Sequence, residues 1–167
     1  MPDAQRTEDK ERLRERRESM RRQREELLAT PQTDPVREYC RRRGYADRVI
    51  LGGLTGLIER WEYAVSKIVE SDSQHLIEEY QNELDGRSII EEVLPLAMQK
   101  ERQSIHERLN IADSRFRAAS VARDECVWGE RVAARRGYTP ATHWWYYRWP
   151  RVIGLGWHGF PPVDEQS

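Results

Sequence analysis

Between Ala46 and Glu70 the chain repeats apolar residues at one spacing: Ile50, Leu54, Leu57, Trp61, Val65 and Ile68, with Leu51, Ile58 and Val69 widening the stripe. Residues three or four apart share one side of an α-helix, whereas a strand sends alternate residues to opposite faces, so this pattern suits only a helix with one buried face. We expect a central core helix over about residues 46–70. Gly52, Gly53 and Gly56 sit within it, with no preceding strand and neither a dinucleotide nor a Walker pattern. Their expected role is close approach of another helix, each at a propensity cost of about 1 kcal/mol.

The remaining elements must pack on that helix. Asp34 followed by Pro35 is a capping side chain and a proline at the first helical position, so a short helix is expected from Pro35 to Arg43, stopped by Gly44. Leu76, Ile77, Tyr80 and Leu84 mark a helix over residues 74–84, Asp85 and Gly86 turn the chain, and Ile89, Ile90, Val93 and Leu94 mark another over 87–94. Beyond Pro95, Met98, Ile105, Leu109, Ala112 and Phe116 form a stripe over residues 96–119. Short connections between such helices predict an all-α fold, an antiparallel helical bundle of four to five helices. At the Asp85–Gly86–Arg87 turn two roles are open: a cap for the helix that Arg87 enters, or a polar anchor for the aromatic tail.

Of the 167 residues 38% are hydrophobic and 34% charged, so the core is lean and the surface heavily ionised. A net charge of -1 gives no global attraction to nucleic acid or acidic membrane. No apolar run opens the sequence, and nowhere do about 18 apolar residues run together, so no secretory signal and no membrane span is expected and the protein is placed in the cytoplasm. Cys40 and Cys126 have no Cys or His at ligand spacing and read as small hydrophobes, with no metal and no cofactor expected. His75 lies one turn from Glu78 and Glu79, but the repeated Glu-x-x-His of di-iron bundles is absent, and no serine sits in a nucleophile elbow. A small enzyme would have to use His75, His106 or His143.

Residues 3–30 carry nine basic and eight acidic side chains and few apolar ones, which suits a solvated helix. Leu13, Met20 and Leu27 recur at sevens, half of a heptad seam without its other half. Arg14, Arg17, Arg21 and Arg24 share one face, the alternative surface for gripping nucleic-acid phosphates, with glutamates on neighbouring faces.

The segment Tyr138 to Phe160 concentrates eight of the fifteen aromatic residues, so it must either seal a core or be offered to a partner. Trp144, Trp145, Tyr147, Arg148 and Trp149, with Trp157 and Phe160 beyond Pro150, have the composition of interaction hot spots. Much of the cluster is expected to lie over the helices as a lid, with Trp157 and Phe160 the sharper candidates for exposure. The expected organisation is a charged helical or disordered extension over 1–33, a helical domain over 34–149 and a Gly/Pro/aromatic tail over 150–167. The function expected from these surfaces is a non-enzymatic protein-protein interaction or adaptor protein, its partner another protein.

Overall fold

The apolar stripe does form a helix, and one glycine breaks it. In the computed structural model, which describes residues 2–70 and 76–151 with side chains over 8–69 and 76–151, α3 spans Asp47–Glu70 and adopts non-helical angles at Gly53, φ 57° and ψ -153°. Ile50, Leu54, Leu57, Ile58, Trp61, Val65 and Ile68 are buried as expected, while Leu51 and Val69 are exposed. The glycines do not admit a neighbouring helix. A Cβ at Gly52 or Gly56 would meet nothing within 4 Å, and one at Gly53 would lie 3.2 Å from Arg37 Nε. Gly53 is needed for its left-handed φ, which L side chains rarely adopt.

The described chain is mostly helical: α1 (Pro2–Ala29), α2 (Pro35–Arg42), α3, α4 (Ile77–Val93), α5 (Gln99–Ala119) and α6 (Glu130–Arg136), with short 3-10 turns at Leu94–Leu96 and Trp144–Tyr147. Two strands, β1 (Ser120–Ala122) and β2 (Arg148–Pro150), pair antiparallel with Val121 opposite Trp149. Sequence periodicity missed this sheet, since three-residue strands are too short to show alternation. Among the described residues no helix is long and apolar enough to cross a membrane. The chain divides into two compact units, residues 1–53 and 54 onward.

In the first unit Asp34 caps α2 through Oδ1, which accepts from Val36 N at 2.8 Å and Arg37 N at 3.1 Å, and Val36 and Cys40 are buried. Glu38 gathers Arg41, Arg42 and the Gln32 N–H, and these donors hold its carboxyl well below the usual range. Helix α1 is tied to the rest of the unit by Arg24, which pairs with Asp47, and by Arg41, which donates to the Leu28 carbonyl.

In the second unit the core is aromatic, with Trp61, Tyr80, Phe116, Trp145, Tyr146 and Trp149 all sealed. Trp61 meets Phe116 edge to face at 5.2 Å, a favoured aromatic geometry. The expected turn at Asp85–Gly86 is instead the interior of α4, which runs unbroken to Val93. Helix propensity loses little at one glycine, and the neighbouring side chains gain tertiary partners. Arg87 turns inward to the Asp113 carboxylate, with Nε at 3.0 Å and Nη2 at 3.0 Å, and Asp113 also accepts from Trp61 Nε1 at 2.9 Å. Met98, expected in the apolar stripe of α5, is 71% exposed because it sits at the cap position, outside the helix proper.

Candidate partner-binding cleft

Between Tyr138 and Trp149 the aromatic segment is hydrogen-bonded to the rest of the second unit. Trp145 Nε1 donates to Ser88 Oγ at 2.9 Å, Ser88 donates to the Tyr146 hydroxyl at 2.7 Å, and that hydroxyl donates to Asp85 Oδ1 at 2.6 Å. Hydrogen bonds chained in this direction polarise one another. This is the polar anchor that the Asp85–Arg87 stretch offered as one of its two roles. Burial lifts the Asp85 carboxyl above its usual range against the opposing Tyr146 hydrogen bond, and burial together with Asp85 pushes the Tyr146 hydroxyl up. Arg87 covers the Trp145 ring at 4.5 Å. Farther along, the Tyr147 hydroxyl donates to the Tyr138 carbonyl at 2.8 Å and Trp149 Nε1 to the Glu125 carbonyl at 3.2 Å.

The expected partner-binding residues therefore separate by position. Trp145, Tyr147 and Trp149 are buried, so their faces already serve the core. Trp157 and Phe160 lie outside the described residues. Trp144 and Arg148 are half-buried and line a cleft of about 700 Å³ with Arg117, Arg123, Tyr147 and Pro140. The Arg117 guanidinium lies on the Trp144 ring, 3.6 Å from its centroid, and Phe116 approaches the same ring at 6.0 Å.

Arg148 is held by neutral oxygens: Nε donates to Ser120 Oγ at 2.8 Å, and Nη2 donates to the carbonyls of Arg117 at 2.7 Å and Ser120 at 2.8 Å. Burial lowers its affinity for a proton, and the nearby charges of Arg117 and Arg151 act in the same sense. Arg123 donates its backbone N–H to the Tyr147 carbonyl at 2.9 Å, while its buried Nε has no hydrogen-bond acceptor among the described residues. Asp124 and Glu125 also line the cleft and are exposed. Arg117 and Arg123 were not singled out in the sequence. No local signal marks them, because the β1–β2 pairing brings residues 117–125 beside 140–148.

The alternative basic stripe lies on α1. Arg14 pairs with Glu18 at 3.4 Å, Arg21 with Glu25 at 3.6 Å and Arg24 with Asp47, while Arg17 is exposed. His106 is exposed on α5, and His75 lies outside the described residues. His143 stacks on Tyr146, with centroids 5.8 Å apart, and its Nδ1 is 2.9 Å from Thr142 Oγ1. Cys40 and Cys126 are buried free thiols, and burial pushes the Cys126 thiol up. Among the described residues no three His, Cys, Asp or Glu side chains are grouped to hold a metal ion. No known protein family, curated protein or solved structure matches the chain.

Proposed function

We propose that this is a non-enzymatic interaction or adaptor protein that docks another protein at the cleft beside Trp144. One observation carries the reading. Beside the buried rings of Trp145, Tyr146, Tyr147 and Trp149, Trp144 stays half-buried in an open cleft with three arginines in its wall. Trp and Arg dominate the energy of protein interfaces, and a rigid backing lowers the ordering cost of binding. In this reading Trp145, Tyr147 and Trp149 hold the site from behind, and Arg148 fixes its wall.

The helices behind the cleft are proposed to form the antiparallel bundle. Support comes from Arg60 with Glu83, Glu62 with Arg108 and Arg87 with Asp113, which tie α3, α4 and α5 side by side. The proposed compartment is the cytoplasm, supported by two buried cysteines left as thiols. Nucleic-acid binding through Arg14, Arg17, Arg21 and Arg24 has less support, since Arg14, Arg21 and Arg24 each face a carboxylate of the same unit.

The test is a photo-crosslinking amino acid at Ala141, on the cleft, compared with one at exposed Met98. A discrete adduct that forms from position 141, not from 98, and is competed by unlabelled protein supports docking. Equal labelling at the two positions removes it.

A further inference from the structure

The cleft is lined by two half-buried arginines, Arg123 and Arg148, and one exposed arginine, Arg117. Arg117, Arg123 and Arg148 form no ion pair among the described residues: Arg148 is bonded to a hydroxyl and two carbonyls, Arg117 lies on an indole, and Arg123 keeps a buried Nε without an acceptor. Enclosed cations are ordinarily paired, because removing a charge from water is costly. Here two half-buried cations, Arg123 and Arg148, line one hollow of about 700 Å³ together with the exposed Arg117.

The geometry also says how an anion would be met. A guanidinium is flat and its N–H donors lie in its plane, so stacking on Trp144 occupies the face of Arg117 and leaves the edge. That edge is the fork that receives a carboxylate through two parallel hydrogen bonds. Charge count then selects among anions. Three guanidinium groups against the carboxylates of Asp124 and Glu125 leave one unit of positive charge, which one carboxylate balances and a dianionic phosphate exceeds.

We infer that the cleft takes a single peptide carboxylate, supplied by an acidic segment of the docked protein and clamped by the edge of Arg117. This rests on the reading of the cleft as a protein-docking site. Arg148 and Arg123 set the local field, and Trp144 both orients Arg117 and offers its exposed edge to an apolar neighbour of the acidic residue.

The full chain, labelled with ¹⁵N at arginine and tryptophan side chains, is titrated with three probes and followed at Arg117 Nε–H and Trp144 Nε1–H. The probes are a capped glutamate-leucine peptide, its glutamine counterpart and inorganic phosphate. The glutamate peptide is expected to give saturable shifts at both groups, with the glutamine peptide at least about tenfold weaker and phosphate also weaker. Arg117→Lys, which keeps the charge and loses the fork, is expected to weaken the glutamate peptide by about tenfold with unchanged melting temperature. Equal binding of the glutamine peptide, tighter binding of phosphate, or full affinity in Arg117→Lys would overturn the inference. Crosslinking separates the two claims. If Arg117→Gln leaves capture at position 141 undiminished, the carboxylate clamp falls while the docking face stands. If position 141 captures nothing in the unaltered protein, docking falls and the assigned source of the carboxylate falls with it.

Discussion

Arg87 on α4 and Asp113 on α5 face each other with only 4% and 5% of their surfaces exposed, joined by Nε and Nη2 to the two carboxylate oxygens. Asp113 is shared with Trp61, and Arg87 continues to Glu91 at 2.8 Å and to the face of Trp145. Removing one partner strands a buried charge, so Asp113→Leu or Arg87→Met alone is expected to lower stability by about 3–5 kcal/mol. The double variant should cost less than the sum of the two by about 2 kcal/mol or more. Denaturant titration of all four proteins measures this, and simple additivity of the two losses would contradict it.

The rings of the aromatic segment should differ in the same assay. Trp149 is fully enclosed, and Trp149→Ala is expected to cost about 3–5 kcal/mol, as large aromatic deletions in cores do. Trp144 is half-buried and its loss should cost clearly less, while abolishing docking at the cleft. A Trp144→Ala protein as unstable as Trp149→Ala would reassign Trp144 to the core.

Two groups give opposite pH trends. Burial raises the Asp85 carboxyl above 3.8, so its contribution to stability is full below that value and is lost as pH rises through the raised one. Asp85→Asn keeps an acceptor for Tyr146 without that titration, and its stability relative to the unaltered protein should climb as pH rises above 3.8. Burial lowers His143 below 6.5, against the opposing charges of Glu91 and Glu92, so its contribution is present above 6.5 and is lost as pH falls through the lower value. Relative to His143→Gln, the unaltered protein should therefore weaken as pH falls from 6.5. Melting curves across this range read both slopes, and a reversed sign at either group would refute its assignment.

Two glycines one turn apart should respond in opposite directions. Gly53→Ala forces a Cβ into a left-handed conformation and against Arg37, with an expected cost of about 1–3 kcal/mol. Gly56→Ala adds a methyl group where nothing lies within 4 Å, on a helical backbone, and is expected to gain up to about 1 kcal/mol. Thermal unfolding of the two variants decides it; a stabilised Gly53→Ala would mean that the break in α3 is dispensable.

The helices were legible because their signals are local. Apolar spacing located the buried face of α3 nearly residue for residue, and the Asp34–Pro35 pair marked the start of α2 through a cap that needs only the next three residues. Asp85–Gly86 misled for the same reason: locally it is a turn signal, and what keeps α4 straight there is distant, Asp113 holding Arg87 and Tyr146 holding Asp85. The cleft was half legible. Trp144 and Arg148 stood out by composition, but Arg117 and Arg123 join them only once β1 finds β2, and short strands leave no periodicity to read.

That pairing also sets a clock. Ser120 and Arg148 are 28 residues apart, and closing a loop of that length costs about 3 kcal/mol of chain entropy before any contact across it forms, whereas each helical turn closes over a few residues. The individual turns of α4 and α5 can therefore form early, before Val121 meets Trp149. Substitutions in β2 should then speed unfolding and leave the refolding rate nearly unchanged, so that the segment shaping the cleft is the last to arrive and the first to leave.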